Sequence, residues 1–352
     1  MNQHPQIELL ARLISTPSHS REEGATATII EEWLADRGVE PQRKGNNVLA
    51  YSDGFDAEAR PTLLLCSHHD TVRPAASYTR DPYAATIEDG RLYGLGSNDA
   101  GASVVGLLEA FVTYRAKPLP FNLMLAIVAE EEVMGEGGLR SLSDEVSFVD
   151  MAIVGEPTLL NAAVGERGLV VLDCVAEGRS GHAARDEGEN ALHKAVRDIA
   201  RIQEFKFDKR SQVLGDIRMT ATMIECGTQH NVVPDRCHFV VDCRTTDAYT
   251  NQQMVDIVSS QLESSVTPRS TRIGASALSA EHPLLRAAEA LGAQAYVSPT
   301  TSDMALMSWP ALKLGIGDSA RSHTADEYVE VAEVVRGVEF YKDLIKKLAE
   351  IV

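Results

Sequence analysis

Five short segments carry side chains that can hold a metal ion. His68 and Asp70 stand two residues apart in Ser67-His68-His69-Asp70, so in extended chain both face the same way. In such a pair one side chain can bind a cation while the other orients a neighbouring ligand. Asp99 follows in Gly96-Ser97-Asn98-Asp99-Ala100-Gly101, then the triplet Glu130-Glu131-Glu132, Glu156 in Gly155-Glu156-Pro157, and a late imidazole in Arg321-Ser322-His323. Taken singly these read as a surface pair, a charge run, a turn. All five, however, fall where an open α/β sheet places its site, at the carboxyl ends of strands. Imidazole and carboxylate donors without thiolate suit zinc, cobalt or manganese, and such an ion polarises carbonyls and activates water.

The elements that must position these residues alternate helix and strand in the first part of the chain. Residues 21–37 read as an amphipathic helix, with Ala27, Ile30, Trp33 and Leu34 on one face and Gly38 as its stop. Asn47–Tyr51 and residues 62–66 read as strands, the second wholly apolar as in a buried sheet. Residues 101–114 read as a helix, and residues 121–129 and Met151–Val154 as further buried strands. The pattern changes from about residue 167 to 277. There the order is strand (169–176), helix (190–205), strands (218–225 and 237–242), helix (251–264) and a last weak strand. Helix 282–291, strand 312–316 and helix 330–350 resume the first pattern. The fold class expected is therefore α/β: a catalytic domain (1–166 and 278–352) with a mixed sheet flanked by helices, interrupted by a βαββαβ, ferredoxin-like domain (167–277).

Bulk properties narrow the function. The 352 residues fit two domains and an ordinary globular composition, 44% hydrophobic and 24% charged. A formal charge of −18, from 51 acidic and 33 basic residues, argues against nucleic acid as a partner. No apolar run approaches the roughly 20 residues of a membrane span, and the opening residues 1–10 lack the order of a signal peptide. Cys66, Cys174, Cys226, Cys237 and Cys243 form no CxxC pair and lie mostly in apolar runs, as buried free thiols of a reducing cytoplasm do.

In this order and over essentially the whole chain, the segments resemble the M20 family of metallopeptidases and deacylases, which includes acetylornithine deacetylase, succinyl-diaminopimelate desuccinylase, aminoacylases and carboxypeptidases. The resemblance extends to Gly178-Arg179-Ser180-Gly181-His182-Ala183 with Asn190-Ala191, to His230-Asn231-Val232-Val233-Pro234, and to Asp242-Cys243-Arg244. It implies two divalent metal ions, zinc first with cobalt or manganese as alternatives, bridged by Asp99. His68 and Glu156 would hold one and Glu132 and His323 the other, with Glu131 as general base and Asp70 orienting His68. It also implies a cis peptide at Asp99-Ala100. Ser97, Asn98 and Ala100 depart from the commonest family spelling without removing a ligand.

Two such ions roughly 3.5 Å apart polarise the carbonyl and make hydroxide available near neutral pH, while the base returns a proton to the leaving amine. In the inserted domain the resemblance implies an oxyanion-steadying role for His182, often from the partner subunit of a dimer. It implies substrate binding by Asn231 and Arg244, whose planar fork matches a carboxylate. The inserted domain would then serve as lid and homodimer contact. The C-terminal segments Thr300-Thr301-Ser302-Asp303 and Gly317-Asp318-Ser319-Ala320-Arg321-Ser322-His323 look most like the acetylornithine deacetylase branch. The expected function is removal of an acetyl or succinyl group from the α-nitrogen of ornithine or a relative such as citrulline, as in arginine biosynthesis, by a cytoplasmic enzyme. Arg321 is a candidate reader of a succinyl carboxylate. A dipeptidase or carboxypeptidase, or a succinyl-diaminopimelate-type desuccinylase, is the alternative.

Overall fold

The computed structural model describes residues 4–185 and 187–352, so that only the first three of the opening ten residues fall outside it. The chain separates into two compact units. One runs up to Val164 and resumes at Leu278–Val297 and Ser302–Val352; the other is Gly165–Ala277 with Ser298–Thr301.

The first unit is built on a mixed sheet. Across it run, in order, Gln42–Lys44, Asn47–Tyr51, Asn122–Val128, Thr62–His68, Met151–Val154, Ala311–Lys313 and Ala162–Glu166. The four in the middle are mutually parallel, with Leu64 opposite Met124 on one side and Ala152 on the other. Every residue of Thr62–His68, Asn122–Val128 and Met151–Val154 is buried, which explains sequences without alternation: helices cover both faces of a parallel sheet. Helix Ala102–Tyr114 is buried on most of its circumference and carries Gly106 against the ring of Tyr341 from the closing helix Val331–Ile351. The Tyr341 hydroxyl, itself buried, donates to the carbonyl of Leu314 at 2.8 Å. An opening helix, Pro5–Ile14, and a small sheet of Thr86–Glu88, Arg91–Tyr93 and Tyr328–Glu330 were not foreseen. The three strands of that sheet are too short to show a period.

The second unit has the expected βαββαβ order: Gly168–Glu177, Ala191–Glu204, Arg218–Cys226, Arg236–Thr245, Asn251–Ser259 and Ser265–Pro268. Its four-stranded antiparallel sheet runs Arg218–Cys226, Arg236–Thr245, Gly168–Glu177, Ser265–Pro268, the strand order of a split βαβ sandwich. Strict alternation of burial along Gly168–Glu177 marks the face that packs on the helices. Val170, Leu172, Cys174, Phe239, Val241, Met254 and Val258 fill that interface. Among the described residues no helix is long and apolar enough to cross a membrane.

Candidate metal centre

The candidate site forms beyond the carboxyl ends of the neighbouring parallel strands Asn122–Val128, Thr62–His68 and Met151–Val154, with further donors from the turn at Asp99 and the loop leading to His323. Thr62–His68 runs two residues further than expected, so His68 is its last residue and lies almost wholly buried. Its Nδ1 lies 3.0 Å from the carbonyl oxygen of Asp70 and 3.5 Å from Oδ1 of the same residue. That fixes the ring so that Nε2 points into the site. The next residue, His69, turns the other way, between the Thr26 hydroxyl (2.8 Å) and the Asn46 carbonyl (2.9 Å). Burial lowers its pKa to about 4, so it is a neutral structural histidine.

The strand Asn122–Val128 is followed by the glutamate triplet, which is not strand. Glu130 takes a left-handed conformation (φ 55°) and Glu131–Val133 forms a single tight turn. The Glu130 side chain folds back over Gly135, where a Cβ would come within 1.9 Å of its Oε2. Asp70 then collects the turn: Oδ1 accepts from the Glu131 N–H at 3.0 Å and Oδ2 from the Glu132 N–H at 3.2 Å, with the Ser20 hydroxyl also donating to Oδ2 at 2.7 Å. One carboxylate thus orients both His68 and the two glutamates that follow the neighbouring strand. After Met151–Val154 comes Glu156, whose backbone lies so close to Gly315 that a Cβ there would meet the Glu156 oxygen at 2.4 Å.

Asp99 sits in the turn Ser97–Gly101 ahead of helix Ala102–Tyr114, and the Asp99-Ala100 peptide is cis. Its Oδ1 lies 3.2 Å from His68 Nε2 and its Oδ2 3.6 Å from His323 Nε2. Two oxygens facing two different imidazoles is the disposition of a bridging carboxylate. Around His68 Nε2 also lie Glu156 Oε1 at 3.7 Å and Glu131 Oε2 at 4.0 Å; His323 Nε2 is 2.9 Å from Glu132 Oε2. His68, Glu131 and Glu156 form one group with donor atoms within 4.8 Å of one another, and His68, Asp99 and Glu132 a second.

The electrostatics show what the cluster lacks. Burial pushes the Glu131 carboxyl well above its usual range, and Glu156, Asp303 and Glu132 add to this against the pull of His68. Burial opposes charge on His68, yet its bonds to Asp70 and Asp99 hold its pKa well above the ordinary value. Glu132, foremost, raises His323 to about 9. The site gathers protons to offset its carboxylates, and divalent cations can take their place. The donors present, two imidazoles and four carboxylates without a thiolate, fit a pair of such ions.

Two residues to which sequence reasoning gave no role, Glu327 and Asn98, complete the frame. Glu327 is almost wholly buried, and its carboxylate accepts from the N–H groups of Gly96 (3.2 Å), Asn98 (2.8 Å) and Asp99 (2.9 Å). Burial and the Asp99 charge push its pKa up to about 8. Asn98 bonds through Oδ1 to the Asp318 N–H (2.9 Å) and through Nδ2 to the Asp318 carbonyl (3.1 Å), tying the loop of Asp99 to the one that leads to His323. In sequence, Glu327 looks like a surface acid four residues after the histidine; only its burial betrays it. Arg321 differs from expectation: its guanidinium is paired with Glu333 at 2.7 and 3.1 Å and lies 4.7 Å over the Tyr328 ring. There it braces the His323 loop.

In the second unit, His182 and Asn231 are neighbours. Strand Gly181–His182 pairs with Val232–Val233, the Ala183 N–H donates to the Asn231 carbonyl at 3.0 Å, and His182 is exposed with Nδ1 accepting from the Ala184 N–H at 3.1 Å. Arg244, half exposed near the end of Arg236–Thr245, pairs with Asp242 at 2.8 and 3.2 Å.

A mixed α/β fold with paired imidazole–carboxylate groups at strand ends defines a metal-dependent hydrolase. Residues 64–347 match the family described as Peptidase family M20/M25/M40, and the chain belongs to it. Among its relatives, a succinyl-diaminopimelate desuccinylase of Parvibaculum lavamentivorans is 26% identical, covering 97% of this chain and 94% of that protein. An acetylornithine deacetylase of Proteus mirabilis is 25% identical, covering 97% and 96%. Among solved structures, the aminopeptidase PepT of Bacillus cereus superposes with a TM-score of 0.74 at 19% identity over 99% of both chains. A Bacillus subtilis protein described as a dinuclear metal binding peptidase of the M20 family does so with a TM-score of 0.68 at 15% identity over 99% and 98%.

Two outcomes follow from this geometry. Ligation needs a neutral His323, whose pKa without cations is about 9, so binding must displace protons at lower pH. Calorimetric zinc titrations of the metal-free protein at pH 7.5, in buffers of different ionisation enthalpy, are expected to show proton release. Affinity should climb with pH until about pH 9, by about tenfold per unit for each proton displaced; a pH-independent affinity contradicts the assignment. Glu327→Ala is expected to weaken cation binding about 10- to 100-fold with an unchanged circular dichroism spectrum, and Glu327→Gln, which keeps an acceptor oxygen, by less. Wild-type affinity in Glu327→Ala would dismiss its role.

Proposed function

We propose that this protein removes an acetyl or succinyl group from the α-nitrogen of ornithine or a closely related amino acid, as a cytoplasmic enzyme of amino-acid biosynthesis such as the arginine route. The observation that carries the reading is the bridging disposition of Asp99 between His68 and His323, with the carboxylate of Glu131 beside them. The names of the relatives, deacetylase and desuccinylase, support amide cleavage next to an amino acid. Succinyl-diaminopimelate cleavage is a second reading, favoured by the several relatives so named.

His68, Asp99 and Glu156 would hold one ion and Asp99, Glu132 and His323 the other, with zinc the first choice and cobalt or manganese next. Bound there, the pair of ions supplies Lewis acidity toward the scissile carbonyl and the attacking water. Glu131 takes the proton of that water on a carboxylate oxygen and gives it to the departing amine nitrogen. Its burial suits the task, because a carboxyl held above its usual range is a stronger base than an ordinary carboxylate. Asp70 keeps the His68 ring turned and the Glu131 turn in place. On the second unit, His182 is proposed to steady the developing oxyanion, and Asn231 and Arg244 to bind the amino-acid portion of the substrate. Arg244 would exchange its Asp242 partner for the substrate carboxylate. The exposed edge strand Arg218–Cys226, with Met223 and Ile224 about half open to solvent, supports homodimerisation through this unit.

A panel of N-acetyl and N-succinyl derivatives of ornithine, citrulline, lysine and diaminopimelate, together with dipeptides, tests the reading in zinc- and cobalt-loaded enzyme. Turnover is expected for acyl-amino acids, with acetylornithine among the best; activity confined to dipeptides would replace this reading by a peptidase. Glu131→Gln is expected to lower kcat about 10²- to 10⁴-fold while metal content stays at the wild-type level. Loss of metal in that variant would make Glu131 a ligand rather than the base.

A further inference from the structure

Outside the metal centre, two of the five cysteines stand directly opposite each other. Cys226 ends the edge strand Arg218–Cys226, Cys237 is the second residue of Arg236–Thr245, and the antiparallel register pairs them. Side chains of directly paired residues lie on one face of a sheet, with Cα atoms about 4.5 or 5.5 Å apart according to the type of pair. Both values fall within the roughly 4.4–6.8 Å that a disulfide spans. Both thiols turn to the helix-packed face, where Cys237 is wholly buried and Cys226 partly so, and they are near enough to interact with each other. Cys174 and Cys243 share this core, but register sets them opposite Phe239 and Val170, and Met219 faces Cys243 on the other side.

The pair closes the base of a loop. Residues 227–235 leave the sheet at Cys226, start on Gly227 (φ 74°) and return at Arg236. On the way they carry Asn231 and the strand Val232–Val233 that pairs with His182. The loop is docked by backbone bonds from Gly178 to Asp235 (2.7 Å) and from Ala191 to Pro234 (2.9 Å), and by the Ser180 hydroxyl on the Asp235 carboxylate (2.9 Å).

We propose that Cys226 and Cys237 are a modification site: on exposure to a small-molecule disulfide such as oxidised glutathione they form an intrachain disulfide that clamps the loop bearing Asn231. The partly exposed Cys226 thiolate attacks one sulfur of the oxidant, forming a mixed disulfide and releasing one glutathione thiolate, which takes up a proton. Cys237 gives up its proton, its sulfur attacks Cys226, and the second glutathione leaves. Two cysteine thiols are oxidised and one glutathione disulfide is reduced to two thiols. Burial, foremost, holds the Cys237 thiol up to about 12, which makes it the second and slower of the two to react.

The full-length protein with its metal ions in place is incubated with oxidised glutathione and its thiols are counted in denaturant. The count is expected to fall from five to three, two thiols entering one bond. Tryptic digestion separates residues 219–236 from 237–244, so the oxidised protein must yield these two peptides joined and the reduced protein must yield them apart. Cys226→Ser and Cys237→Ser should each abolish the joined product, and backbone hydrogen exchange of residues 227–235 should slow in the oxidised wild type. An unchanged thiol count, a joined product that survives in either variant, or a dimer-sized band on a non-reducing gel overturns the proposal. None of these readouts depends on the substrate.

Discussion

Five carboxylates, Asp70, Asp99, Glu131, Glu132 and Glu156, converge on one buried histidine, and most of the first unit serves to hold them there. Two like charges about 4 Å apart repel by about 4 kcal/mol even at an effective dielectric of 20. No folded chain keeps such a cluster without compensation of similar size. Part of it comes from the protein: Asp70 is satisfied by two backbone N–H groups and a hydroxyl, and Asp99 by His68 with help from Ser322 and His323. The rest is left to mobile cations. Without metal, protons serve: His68, Glu131 and His323 all have their pKa values raised, His323 to about 9. The same imbalance that would destabilise an ordinary core is what gives this site its affinity for divalent ions.

His68, Glu132 and Glu156 follow three neighbouring parallel strands, so their spacing in space is the spacing of the sheet, whereas Asp99 stands in the turn ahead of helix Ala102–Tyr114. What the sheet cannot position is anything between strand ends, and that falls to the segment after Ala311–Lys313. His323 reaches Glu132, Asp326 accepts from the N–H groups of Thr79 and Arg80 at 2.9 Å each, Glu327 grips the Asp99 loop, and Arg321 is locked to Glu333. Within seven residues the chain fastens three loops to the closing helix. This is a use of charged residues that their exposure-prone types conceal.

The sequence made legible whatever depended on local pattern. The apolar runs at 62–66 and 121–129 announced buried parallel strands, and the candidate ligands stood out as histidine and carboxylates at the ends of expected strands. The βαββαβ order of the second unit was readable from periodicity alone. What stayed hidden depended on which partner a side chain finds. Nothing local separates Arg321, paired within the protein, from an arginine that awaits a substrate, or Glu327, buried, from a solvated acid. The glutamate triplet shows both sides: its last two members were singled out as candidates, but the turn that aims them, fixed by Asp70 and permitted by Gly135, is a tertiary fact.

Within the proposed deacylase reading, charge bears on the choice between acetyl and succinyl substrates. With Arg321 engaged, the His323 loop offers no guanidinium to a succinyl carboxylate. The chain as a whole carries −18, and a field of that sign slows the approach of anions, especially at low ionic strength. N-acetylornithine arrives with one carboxylate and one ammonium and is neutral overall, whereas N-succinyl-diaminopimelate brings three carboxylates against one ammonium. Relatives named for either activity match this chain; within the proposed reading, its own charge and the pairing of Arg321 with Glu333 weigh toward the less anionic substrate.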